Sequence, residues 1–99
     1  MTEAIFEWDE AKSLANQRKH GFSFDRAIRA FGDPLRTSFV ERIENGEVRW
    51  QTFGVVDQIV LLMVAHTITD GPDGVETVRV ISARRANNHE RWRYENENG

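Results

Sequence analysis

The dipeptide Asn45-Gly46 constrains this chain more than any other feature. It stands between two runs of period two, Thr37 to Glu44 and Glu47 to Val55. An Asn-Gly pair between alternating strands is the strongest short-range signal of a two-residue hairpin. Such a turn sets the register: Ile43 lies opposite Val48 and Arg42 opposite Arg49, and Phe39, Ile43, Val48 and Trp50 share one face. Like charges directly opposed destabilise a strand pair. Arg42 and Arg49 therefore either meet an anionic partner or are relieved by Glu44, Glu47 and solvent.

The segment Ile59 to Thr67 is the most apolar in the chain and belongs at the centre of a sheet. Asp70-Gly71-Pro72-Asp73-Gly74 reads as a turn, and Glu76 to Ala83 as the last strand. Before the hairpin the period is helical. A first helix is predicted from about Asp9 to His20, with Asp9 as N-cap and Glu10 at the positive end of the dipole. Arg18, Lys19 and His20 sit at its negative end, and Gly21 closes it in a left-handed conformation. Trp8, Ala11, Leu14 and Ala15 mark its expected inner side. A second helix runs from Ser23 to about Phe31, with Phe24, Ala27, Ile28 and Phe31 at i, i+3, i+4, i+7. Gly32-Asp33-Pro34 stops it. Asn87 and Glu90 have capping-box spacing for a final helix through Trp92 and Tyr94. The expected architecture is α+β: two N-terminal helices, a four-stranded antiparallel sheet and a C-terminal helix. One domain covers residues 1–99, with an acidic tail that frays from about Glu95.

Several function classes are excluded early. With no cysteine there is no disulfide framework and no thiolate metal site. No G-x-G-x-x-G or G-K-[ST] pattern is present, so neither a Rossmann nor a P-loop site is expected. The three histidines lack H-x₃-H spacing and no carboxylate cluster accompanies them, so no metal or other cofactor is expected. The start, Met1-Thr2-Glu3-Ala4, is not a secretory leader, and the apolar run Ile59 to Ala65 is too short for a bilayer. A soluble cytoplasmic protein with no membrane contact is expected. The net charge of −3 argues against a generic nucleic-acid coat protein. Yet Arg79, Arg84, Arg85, Arg91 and Arg93 lie close together near the end. A phosphate feels charge within a Debye length, about 8 Å at physiological salt, so a local basic site on an acidic body is compatible with that total.

Two separated segments resemble one family. The first is Phe6-Glu7-Trp8-Asp9-Glu10-Ala11-Lys12, followed by Asn16 and Lys19-His20-Gly21-Phe22-Ser23-Phe24, with Ala27, Phe31, Asp33 and Pro34 after it. The second is Arg79-Val80-Ile81-Ser82-Ala83-Arg84-Arg85-Ala86, with Glu90-Arg91 and Tyr94. These resemble the opening and closing motifs of BrnT toxins of type II toxin–antitoxin systems, and the resemblance runs from Phe6 to Tyr94. The loop from about Ile68 to Val75 is longer than the family's usual turn. The resemblance implies a RelE-like fold and ribonuclease activity. It also implies a BrnA-like antitoxin with a ribbon-helix-helix region, which neutralises the toxin and through which alone DNA is met.

Metal-free RNA cleavage needs three things: a proton taken from the 2′-oxygen, charge stabilised on the phosphate, and a proton given to the 5′-oxygen. Arginine suits the second task, since its planar fork matches phosphate oxygens. Arg79, Arg84 and Arg85 are the candidates; Arg79 is expected on one face with Ile81 and Ala83. The alternative for these arginines is ion pairing with Glu76, Glu90 or Glu95. His66, ending the apolar strand, is a candidate acid or base, or else a buried hydrogen-bonded ring. Lys19, His20, Arg91 and Tyr94 are candidates for RNA contact, although cations also favour helix C-termini on their own account. Trp92 either stacks on a base or docks the last helix, with docking the expected role; Trp8 and Trp50 are expected in the core. An antitoxin that covered the arginines would present carboxylates to them. Two other functions fit the same sequence: a non-catalytic antitoxin-binding module in operon autoregulation, and a small α+β enzyme for an anionic metabolite.

Overall fold

The computed structural model describes residues 4–97. The elements are β1 (Ala4–Glu7), α1 (Glu10–His20), α2 (Phe24–Ala27), a 3-10 segment (Ile28–Gly32), β2 (Thr37–Glu44), β3 (Glu47–Val56), β4 (Val60–Asp70), a 3-10 turn (Pro72–Gly74), β5 (Glu76–Arg85) and α3 (Asn88–Glu97). The strands make one mixed sheet in the order β1-β5-β4-β3-β2. The expected four-stranded antiparallel sheet is thus corrected to five strands. β1 pairs in parallel with β5, from Ala4 opposite Glu76 to Glu7 opposite Arg79. Four residues are too few to show a period, and a parallel partner 70 residues away leaves no turn signal.

The hairpin forms in the expected register, with Ile43 opposite Val48 and Arg42 opposite Arg49. Asn45 and Gly46 take φ of 53° and 78°, as a two-residue primed turn requires. Arg42 is relieved by Glu44, 3.0 Å away. One residue of register slips between Val40 and Arg42. That bulge sends Phe39 to the face of Gln51 and Phe53, where it lies 6.0 Å from the Phe53 ring. Val40 replaces it beside Ile43, Val48 and Trp50. A second slip, at Ile81 in β5, puts Arg79 and Ala83 on opposite faces, against expectation.

The sheet divides two cores. On one face, α1, α2 and the 3-10 segment cover Val60, Leu62, Val64, Val80 and Ala83, with Phe22 and Phe24 between them. On the other, α3 brings Tyr94 onto Phe53, Leu61, Met63 and Ala65. Every β4 residue from Val60 to Thr67 is buried, because the strand is central and covered on both sides. The 3-10 segment crosses β3 at Gly54, where a Cβ would lie 2.2 Å from the Ala30 carbonyl oxygen. Where α2 passes into this segment, Asp57 accepts from Arg26 and Arg29 at 3.3 and 2.8 Å.

α1 starts at the Asp9 cap, whose carboxylate accepts from the Ala11 and Lys12 amides, and it closes at Gly21 with φ 86°. Its inner side is not the expected one. Ala11, Leu14 and Ala15 are exposed, and the buried residues are Ser13 and Asn16. Ser13 Oγ accepts from the Phe24 amide. Asn16 is the more consequential. β1 stops at Arg79, leaving the later half of β5 without a strand on that side. There the Asn16 amide donates to the Ala83 carbonyl at 2.9 Å and accepts from the Ala83 N–H at 3.1 Å, and it also donates to Phe22 O at 2.8 Å. One side chain supplies both bonds that a strand would have made to Ala83. A buried backbone group left unpaired costs about 1–3 kcal/mol. We expect Asn16→Leu, which fits the space but pairs with none of the three groups, to lose about 2 kcal/mol of unfolding free energy in urea titration. A loss below a few tenths would mean that water reaches Ala83 freely.

The remaining helices differ in detail. The second predicted helix is α-helical only over Phe24–Ala27 and tightens to 3-10 from Ile28. α3 opens on the expected capping box, with Asn87 N to Glu90 Oε1 at 2.9 Å and Glu90 N to Asn87 Oδ1 at 2.8 Å. It takes in Glu95, Asn96 and Glu97, where a loose tail is expected; Asn98 and Gly99 lie outside the described residues. Tyr94, not Trp92, docks it: Trp92 is 60% exposed and stacks on His89. Among the described residues, no helix is long and apolar enough to cross a membrane.

Candidate functional site

The sheet separates residues that the sequence places together. Paired residues of an antiparallel ladder project to one face. His66 pairs with Val80 and Arg85 with Leu62, on the face of α1 and α2. Arg84 pairs with Met63 and Arg79 with Thr67, on the face of α3. Four candidate residues thus fall into two pairs on opposite sides.

His66 is buried, 1% exposed. Its Nε2 is 2.7 Å from Thr52 Oγ1, which is in turn 2.8 Å from Ser38 Oγ. Nδ1 lies 3.4 Å from Thr67 O, and the Phe31 ring packs edge-on at 5.0 Å. Burial drives the ring's pKa down to about 4, against the smaller opposing effect of the Thr67 carbonyl. The ring is neutral at pH 7.

Arg84 makes a forked pair with Glu90, NH1 to Oε1 at 2.8 Å and NH2 to Oε2 at 3.0 Å, and NH1 also donates to Arg85 O. This hydrogen-bonded pairing raises the Arg84 pKa and lowers that of Glu90, outweighing desolvation in each case. The same carboxylate caps α3, so Glu90 fixes the guanidinium and the helix start together. Arg85 is exposed, its guanidinium 5.9 Å from the Phe22 ring centre. Arg79 lies across from Glu7, 3.4 Å away, and Arg91 is exposed on α3. The Tyr94 hydroxyl donates to Asp33, whose carboxylate also accepts from the Val55 and Leu35 amides. Burial and the Asp33 carboxylate together push the phenol up to about 12.

Lys19 and His20 do come together with part of the closing motif. They line a shallow groove of about 220 Å³ with Lys12 and Asn16 of α1 and with Ile81 and Ser82 of β5. The Asn16–Ala83 bonds set α1 against β5 at this point, and Arg84 and Arg85 follow within three residues of Ser82. Lys12 is the residue that sequence reasoning passed over. Its signal was present: Lys12, Asn16 and Lys19 are spaced i, i+4, i+7 and so share one side of a helix. Two lysines and an imidazole at an open groove can hold a phosphate and exchange a proton with it. Among the described residues, no three His, Asp or Glu side chains gather as a metal site would need.

The family model for the ribonuclease toxin BrnT of type II toxin–antitoxin systems matches residues 8–90, which is most of the chain. The protein belongs to the BrnT family. A solved relative agrees: the Brucella abortus ribonuclease toxin BrnT, whose crystal structure was determined at 1.1 Å, is 29% identical. The match covers 86% of this chain and 97% of that one, with a TM-score of 0.57. No curated protein matches the chain. The two motifs that carry the resemblance bracket the BrnT match and meet physically at the α1–β5 groove. Membership of a type II toxin family also implies an antitoxin partner.

Proposed function

We propose that this chain is a metal-independent, RelE-like endoribonuclease acting in the cytoplasm, held in check by a BrnA-like antitoxin with a ribbon-helix-helix region. The observation that carries the reading is the groove in which Lys12, Lys19 and His20 face β5 just before Arg84 and Arg85. Arg85, on the α1 side of the sheet and close to Phe22, addresses the scissile phosphate with Lys19, while Lys12 and Arg84, the latter steadied by Glu90 on the other side, bind the RNA backbone. His20 opens to solvent and takes the 2′-OH proton. The 2′-oxygen then bonds to phosphorus, the bond to the 5′-oxygen breaks, and that oxygen takes a proton from solvent water, to which His20 returns its own. The products are a 2′,3′-cyclic phosphate and a 5′-hydroxyl end. His66, 1% exposed and hydrogen-bonded with Thr52, has no proton-transfer role in this reading.

The test is cleavage of labelled single-stranded RNA by antitoxin-free protein in EDTA. The parent leaves cyclic phosphate ends. Arg84→Ala/Arg85→Ala and Lys19→Ala/His20→Gln, each checked for parental melting, lose on the order of a hundredfold in rate, as expected for lost transition-state donors and proton transfer. A folded parent that cleaves nothing would instead favour the non-catalytic antitoxin-binding module.

A further inference from the structure

A cavity of about 910 Å³, larger than the basic groove, lies away from it. It opens on the α1–α2 face of the sheet, beyond the edge of the 3-10 segment. Phe6, Phe31, Ile68 and Val78 form its walls, and Thr52 and His66 lie at its floor. The same sheet face continues outward along the hairpin as bare apolar surface. Val40 is 54% and Ile43 69% exposed, with Val48 and Trp50 half-buried between them. These four residues point the same way as Thr52 and His66, because Val40 pairs with Trp50, Trp50 with His66, and Ile43 with Val48. A continuous apolar strip of this kind marks a protein contact.

Its dimensions and charges select the occupant. The cavity lining takes in all five strands, from Ala4 and Phe6 of β1 to Ser38 of β2, four strand spacings or about 19 Å. A helix with its side chains is about 10–12 Å across, so one helix fits within the width and two abreast do not. Arg36 lines the β2 side and Glu76 the β5 side, and opposite charges on the two banks orient what lies between them. Arg29 and Asp25, from the roofing segments, add one charge of each sign. We propose that this face receives an amphipathic helix of the antitoxin, its aliphatic stripe on the hairpin and cavity, a carboxylate toward Arg36 and a cation toward Glu76. The proposal rests on the type II pairing of the family. It places the antitoxin helix away from Arg84 and Arg85.

The experiment measures binding of the antitoxin polypeptide of this toxin's own pair, alongside RNA cleavage by each free toxin. Val40→Asp/Ile43→Asp changes only exposed side chains. We expect it to melt and cleave like the parent while its antitoxin affinity falls on the order of thirtyfold, as for the loss of a central contact. Arg84→Ala/Arg85→Ala should bind antitoxin within about threefold of the parent. Parental affinity in the hairpin variant would overturn the proposal. So would a hydrogen-exchange footprint of the antitoxin confined to the α1–β5 groove. A toxin dimer that the hairpin variant splits, with antitoxin binding unchanged, would assign the strip to a second copy instead. If no protein in the set cleaves RNA but the hairpin variant alone loses antitoxin, the nuclease reading fails and this one stands.

Discussion

Gly54→Ala unfolds at a far lower temperature than the parent. Gly54 sits in β3 under the 3-10 segment, and an added Cβ meets Ala30 O at 2.2 Å, Ala30 C at 2.9 Å and Ala30 Cα at 3.0 Å. The carbonyl atoms are main chain, so no rotamer change relieves them. Either β3 or the segment Ile28–Gly32 must move, and that segment carries Phe31 against His66 and Ala30 into the core. Overpacking of this kind costs about 1–3 kcal/mol and occasionally more; with backbone as the obstacle we expect about 3 kcal/mol. For a domain of this size that is a fall of about 12–24 °C in Tm. Gly32→Ala is the control: nothing lies within 4 Å of its Cβ and its φ is ordinary, so stability changes by less than about 1 kcal/mol. A Gly54→Ala protein that melts with the parent would show that the 3-10 segment does not rest on β3.

The second large effect is a loss of stability on mild acidification, traced to His66. In the folded protein, burial holds this ring's pKa at about 4; in the unfolded chain it titrates near 6.5. Between those values the unfolded chain carries a proton that the folded one refuses, so stability rises with pH in this window. It is complete above about pH 6.5, is lost progressively as pH falls towards 4, and has no further His66 component below that. Each factor of ten in proton affinity is worth about 1.4 kcal/mol, which puts the full loss at about 3 kcal/mol. Urea titrations from pH 7.5 to 4 measure it. His66→Gln keeps a polar group beside Thr52 and should flatten the curve across the window whatever its stability at pH 7.5. A parental slope in that variant would place the acid sensitivity elsewhere.

The legible parts of the fold were those whose signal is local. Asn45-Gly46 carried turn and register together, the Asn87–Glu90 spacing became a reciprocal cap, and Asp9 and Gly21 bound α1 at both ends. What was illegible depended on distant partners. β1 exists because β5 offers it an edge. α1 turns Ser13 and Asn16 inward, since they satisfy backbone groups, and leaves Leu14 half exposed. No hydrophobic period reports such a helix. The turn at Asp57-Gln58, with φ of 55° and 61°, has neither glycine nor proline to announce it.

The candidate site shows the same division. The motif residues Lys19 and His20 do meet the closing strand, because Asn16 ties α1 to it. Arg79, Arg84 and Arg85 lie close together in sequence, whereas consecutive strand residues alternate faces and the bulge at Ile81 shifts that alternation. Arg84 and Arg85, adjacent in the chain, look out of opposite sides of the sheet.

The Asn16 amide has an effect on how copies of this molecule can meet. Open strand borders are templates for joining one chain to the next. On the β5 flank the border is reduced to the four residues of β1, since the amide occupies the backbone groups at Ala83. On the opposite flank β2 presents eight residues, kinked once. Joining by backbone therefore finds its longer border at β2, and on the other flank it has only the short strand β1. Two molecules meeting through β2 form a closed pair, and growth into a fibre, which needs a usable border on both sides, is left with the four residues of β1, because one side chain has taken up the backbone groups at Ala83.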